Sequence, residues 1–207
     1  MNRLFPLIAA AAALLPASAP ATGGSTAAVF EAGRCMVQRD RRAAISLFRS
    51  LPLDQTVADF SALGGSAARA CIGAVPGASG LLVRGAIAQA LFQRDFRGEI
   101  GDALRNGVQP ADLGLPDASA GGAPNSWRWA DCVVRNEPAA TGRLLRTEVG
   151  SPQEAAAISG LQLHMSACMA MGAELTLRRS EVRSLFAQGA YHNAYRYWAG
   201  QLRAAPQ

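Results

Sequence analysis

The sequence predicts an all-α fold made of two tandem copies of a roughly four-helix unit. Three observations predict it. Four cysteines repeat one spacing, a block of residues recurs in each half, and helix start signals occur without sustained alternation of apolar and polar residues. Cys35 and Cys71 stand 36 positions apart, as do Cys132 and Cys168, which sets the halves 97 residues apart. At that offset Phe30 falls on Trp127, Val37 on Val134, Arg49 on Arg146 and Ala70 on Ala167. Further along, Val83-Arg84, Ala88-Gln89 and Phe92 match Val182-Arg183, Ala187-Gln188 and Tyr191 at an offset of 99, a gain of two residues between the blocks.

The first element is a leader. Arg3 precedes an apolar run from Leu4 to Leu15, and small residues follow at Ala17, Ala19 and Ala21. This is the pattern of a secretory signal peptide, with cleavage after Ala19 or Ala21. We favour Ala21, because the other cut leaves Pro20 at the new N-terminus. The run is shorter than the roughly 20 apolar residues a spanning helix needs, so no transmembrane anchor is expected after cleavage. The expected organisation is 1–21 leader, 22–106 first helical repeat, 107–125 Gly/Pro-rich linker and 126–207 second repeat.

Within the first repeat, helices are expected at 26–38, 41–50, 55–74 and 81–94, with Asp54 capping the third and a short extra helix at 97–106. Within the second, they are expected at 126–135, 138–147, 152–171 and 181–203. Pro138 marks a start, Gly172 a stop, and Ser151-Pro152-Gln153-Glu154 is a capping box with Pro at the first helical position. Leu175 to Leu177 could form a short extended piece.

In an oxidising compartment an even number of cysteines argues for disulfides. If each unit arose as a self-contained piece, the pairs are Cys35–Cys71 and Cys132–Cys168, each tying the first helix of its unit to the end of the third. Closing a loop of that length contributes roughly 4 kcal/mol in the chain-entropy model. No cysteine pair has the close spacing of a structural zinc site, and no metal or cofactor is expected.

Every one of the 20 basic residues is Arg, which reads as GC-rich coding bias, and loss of the leader takes the formal charge from +5 to +4. That is a mildly basic, solvated surface rather than one built for nucleic acid. The residues for catalysis are sparse. There is no Gly-x-Ser-x-Gly elbow, no Lys for a Ser–Lys dyad, and only His164 and His192 as imidazoles. His164, whose first-half counterpart is Ala67, reads as a partly buried structural residue.

The binding candidates lie near the C-terminus. All three Tyr of the chain fall at Tyr191, Tyr195 and Tyr197, beside Arg196 and Trp198. Tyr191, Tyr195 and Trp198 share one helical face, which either packs the helix on its own domain or anchors a partner. Packing is favoured, because Tyr191 falls on Phe92, while Arg196 and Tyr197 lie off the stripe and are expected at the surface. Trp127-Arg128-Trp129 is an aromatic–basic interleave, with Trp127 expected in the core. The recurrence of Arg84 at Arg183 and of Arg49 at Arg146 points to structural work, such as capping helix carbonyls.

Cys-x-Val at Cys132, then Ser151-Pro-Gln-Glu-Ala-Ala-Ala, Cys168-Met169 and Val182-Arg183 resemble segments of uncharacterised exported proteins of GC-rich alphaproteobacteria. The likeness covers both halves and implies a periplasmic or secreted location, with no activity attached. The first half departs from it by replacing the Ser-Pro-Gln-Glu box with Asp54-Gln55-Thr56-Val57. The expected function is a non-catalytic helical binding or scaffolding protein of the cell envelope, with an envelope protein or polymer as partner and an exposed aromatic or basic groove at the seam between repeats. An enzyme acting on an envelope polymer and a purely structural envelope protein are the alternatives.

Overall fold

A computed structural model describes residues 25–51, 61–73, 75, 77–96, 125–169 and 174–204. The expected leader, Asp54, the helix expected at 97–106, Gly172 and the expected linker up to position 124 lie outside the described residues. Among those described there are nine helices and no β-strand. They are α1 (Thr26–Arg39), α2 (Arg41–Ser50), α3 (Ser61–Ile72), α4 (Gly80–Asp95), α5 (Asn125–Asn136), α6 (Pro138–Arg146), α7 (Pro152–Gly160), α8 (Gln162–Ala167) and α9 (Arg179–Ala204).

Local chemistry sets most of these boundaries. Ser25, Asp40 and Ser79 each accept a hydrogen bond from the backbone N–H three residues on, satisfying a donor that the first turn leaves orphaned. Asp40 ends α1 and starts α2 at once, so the two helices meet at a single-residue corner. Ser151 Oγ accepts from Glu154 N at 3.1 Å, the first half of a capping box, while Glu154 accepts from the Gly150 N–H at 2.6 Å, one residue ahead of the cap, and the Ser151 N–H donates to the Glu148 carbonyl.

Packing follows from where the side chains are smallest. Val83 to Phe92 on α4 are buried without interruption, and so are Val182 to Tyr191 on α9. A helix covered all round belongs at the centre, and these two cross there. The crossing is at Gly85, where an added Cβ would stand 2.3 Å from the Ser184 Cβ. α1 and α2 pack on α4, α5 and α6 pack on α9, and α3 lies against α1 and α2. α7 lies on α6 and α8 on α5. One continuous apolar cluster, including Phe48, Ile87, Leu91, Trp127, Leu144 and Phe186, runs through both halves.

The disulfides are Cys35–Cys71 and Cys132–Cys168, the pairing the repeated spacing predicts. They suit an oxidising environment. No described helix is long and apolar enough to cross a membrane.

The third helices depart from expectation. α3 is described only from Ser61, and Gly65 (φ 65°, ψ −154°) kinks it, a conformation open essentially to glycine. The helix expected over 152–171 is two short ones, because Leu161 breaks it. Its N–H turns back to the Ile158 carbonyl, and its side chain is fully buried. Gly160, a weak helix former, precedes the break. Leu161 and Glu154 are the only buried residues of the α7–α8 layer, so the break drops Leu161 into the core. The Trp129 indole N–H, donating to the Met165 carbonyl at 2.9 Å, then holds α8. Residues 174–178 are irregular, so the stretch around Leu175 to Leu177 forms no strand.

Candidate functional site

The seam between the halves is organised by two buried arginines at matching positions, Arg84 on α4 and Arg183 on α9. Each reaches the carbonyls at the C-terminal end of the second helix of its own half, where a cation also meets the negative end of the helix dipole. Arg84 donates to the Leu51 carbonyl at 2.8 Å. Arg183 donates to the carbonyls of Thr147 at 2.7 Å and Leu145 at 3.3 Å. Each then stacks across the seam on the aromatic residue of the opposite first helix. Arg183 lies 5.4 Å from the Phe30 ring and Arg84 lies 5.5 Å from the Trp127 ring.

Arg183 is 0% exposed, and a buried charge needs compensation. Glu154 Oε1 supplies it at 2.9 Å, so the carboxylate that accepts from the Gly150 N–H also neutralises the buried guanidinium. Thr147 Oγ1 and Gln89 Oε1 accept the remaining hydrogen bonds at 3.0 and 2.8 Å. Burial lowers the Arg183 pKa while Glu154 opposes the shift. Arg84, which also lies 4.8 Å over the Phe48 ring, is lowered to about 10 by burial and remains charged at neutral pH.

Directly above the Arg183 network the seam opens into a groove of about 310 Å³. Its walls come from α1, from α4 and from the turn between α6 and α7. Phe30, Gln89, Arg146 and Glu148 line it, together with Glu31 and Arg34, which pair with one another. Gln93 closes one end by donating to the Leu145 carbonyl at 2.6 Å. The sequence suggests an aromatic or basic groove at the seam; this one is instead mixed in charge, with Glu31 and Glu148 beside Arg34 and Arg146 and Phe30 its one described aromatic residue, and nothing local marks Gln89 as its floor. The recurrence of Arg-x-x-x-x-Gln at 84–89 and 183–188 is the signal that could have found it.

No family model, curated protein or solved structure matches this chain.

A second hollow of about 470 Å³ lies beside α8, lined by Trp129, Leu163, Met165, Met169 and Leu177. It is more apolar, and Leu163 at its edge is 83% exposed.

The C-terminal aromatic stripe divides. Tyr191 is core, meeting Phe48 edge-on at 5.6 Å, and burial pushes its pKa up to about 12. Tyr195 and Trp198 are 43% and 53% exposed, so the stripe does not pack inward as a whole. Arg196 and Tyr197, expected off the stripe, are half-buried, and Tyr197 packs against the core. The Trp127-Arg128-Trp129 interleave is no exposed platform, because both Trp are buried and only Arg128 is exposed.

The histidines stand apart from both hollows. His164 Nε2 lies 3.2 Å from Glu137 Oε1 with both side chains over a third exposed. His192 sits among Phe48, Trp127 and Tyr191. Burial, then Arg84, Arg196 and Arg49, hold its pKa down at about 3, so it is neutral at ordinary pH. Neither imidazole lines either hollow, and no described cluster of His, Cys, Asp and Glu could hold a metal ion.

Proposed function

We propose that this protein is a non-catalytic, exported helical binding protein of the cell envelope, built by duplication of one disulfide-bonded unit, with its ligand held in the groove at the seam. The groove carries the reading. It is a concave, partly polar site at the junction of two halves, and its volume lies at the lower end of the roughly 300–1,000 Å³ typical of small-molecule sites. Two disulfides and the signal-peptide pattern support export. The matching roles of Arg84 and Arg183 support duplication, because equivalent side chains meet equivalent aromatic residues across the seam.

The test is native mass spectrometry of the protein released from the envelope without denaturant. A small bound molecule is expected, and it should be missing from an Ala27→Trp variant, which fills the groove from an exposed position. A protein that carries nothing, or that cleaves envelope polymer during incubation, would overturn the reading.

A further inference from the structure

We propose that the seam groove binds a small zwitterion of the α-amino-acid or dipeptide class, carboxylate inward against Gln89 and Arg146 and ammonium toward Glu148. The inference rests on the groove being a binding site, and it adds the chemistry of what binds.

It begins with Gln89, a buried side chain at the groove floor. A guanidinium can only donate, so the Arg183 Nε–H, 2.8 Å from the Gln89 side chain, fixes the amide oxygen on its side. The amide NH2 is thereby directed away from Arg183, and among the described residues it donates to nothing. Arg183 is itself locked by Glu154 and by the Thr147 hydroxyl and carbonyl. The floor thus presents a donor whose orientation is settled before any ligand arrives, which removes part of the ordering cost of binding.

The walls supply the charges. Arg146 has no ion-pair partner among the described residues, nor has Glu148, whereas Arg34 and Glu31 neutralise each other. One free cation and one free anion lie in the same short stretch of chain. They give a singly charged ion no net advantage, but suit a ligand that carries both signs. A carboxylate can take the Arg146 guanidinium and the Gln89 amide together, since both are donors. Phe30 provides an apolar wall for a short side chain, and the volume excludes a polymer from lying wholly within.

Isothermal titration of the oxidised protein tests this, with alanine and Ala-Ala as probes against acetate, methylammonium and glucose. Saturable binding of the zwitterions is expected, about tenfold or more tighter than either half-ligand. Arg146→Ala and Glu148→Gln, both exposed, should each weaken binding by a similar factor. Gln89→Glu keeps an acceptor for Arg183 but replaces the NH2 donor with an anionic oxygen. It should abolish binding while the thermal melting transition remains. Unchanged affinity in the two wall variants would overturn the assignment of the charges. Binding of glucose in preference to the zwitterions would leave the groove as a site and reject the ligand class. Heat from none of the probes, with a folded protein, would reject the class, and the bound-mass measurement then decides separately whether the groove is a site at all.

Discussion

Arg84 and Arg183 occupy matching positions on the two central helices, yet they reach stability by different means. Both cap the end of the second helix in their own half, and both stack on an aromatic ring from the other half. Arg183 has a carboxylate, an amide and a hydroxyl as further partners. Arg84 instead lies between two aromatic rings, and its Nε has no hydrogen-bond partner among the described residues. Position in the chain decides where a guanidinium lands, and its neighbours decide how its charge is compensated. In the second half Glu154, in the first turn of α7, accepts from the Gly150 N–H and also neutralises the seam.

The largest effect should come from breaking that pair. Arg183→Met leaves Glu154 buried without its partner and is expected to destabilise by about 3–5 kcal/mol. Arg84→Met orphans only a carbonyl and should cost about 1–3 kcal/mol. Urea unfolding of both variants checks the comparison, and equal losses would show that Glu154 does not distinguish the two sites. In the double variant Glu154→Leu/Arg183→Met much of the loss should return, because no buried charge is left alone.

The two disulfide layers extend the contrast. α3 and the turn after it bury Ala68, Ile72 and Val75, whereas α7 and α8 are held by little beyond Leu161, Glu154, the Trp129–Met165 hydrogen bond and the bridge. Removing either bridge with paired Ala substitutions should lower stability by about 2–5 kcal/mol. Hydrogen exchange should separate them. Without Cys132–Cys168, amides of α7 and α8 should open locally while the central helices stay protected. A global rise in exchange from that variant would mean the layer is more tightly coupled than its burial suggests.

The crossing of α4 and α9 is sharper still as a test, since equivalent positions touch there. Gly85→Ala drives a Cβ into Ser184 and is expected to cost about 1–3 kcal/mol. Adding Ser184→Gly should recover only part of it, because the backbone Cα at 184 still stands 2.5 Å from the added Cβ. No recovery would place the strain elsewhere on α4.

The most gradual effect is in acid, and it belongs to the Arg84 side of the seam. His192 stays neutral in the folded protein down to about pH 3, whereas the unfolded chain protonates it below its ordinary value of 6.5. Its depressed pKa therefore removes stability as pH falls from 6.5 toward 3, by at most about 1.4 kcal/mol per pH unit, and has no effect above 6.5. His192→Gln should flatten that part of the stability curve relative to the parent. Parallel curves would show that carboxylates alone set the acid limb.

The cap at Ser151 was readable because it acts within one turn of chain, whereas those at Ser25, Asp40 and Ser79 emerged only with the structure, just ahead of the starts expected at 26, 41 and 81. The cysteine pairing was readable because the same spacing occurs twice. The break at Leu161 was not, because Gly160 alone is a weak signal and the pull on Leu161 comes from the core beneath it. The floor of the groove was equally hidden, since Gln89 and Arg183 are 94 residues apart and meet only when α4 crosses α9.

By itself the sequence determined the helical class, most helix boundaries, the two bridges and the equivalence of Arg84 with Arg183, all of which rest on local hydrogen bonding or on repetition. The tertiary structure alone decided which of those residues face the seam. It also split the C-terminal stripe, because α9 runs to 26 residues against the 16 of α4 and the matched block ends at Tyr191. A helical face is a property of one helix, whereas its burial depends on whether another element lies opposite. Tyr191 has Phe48 opposite, while Tyr195 and Trp198 remain largely open to solvent.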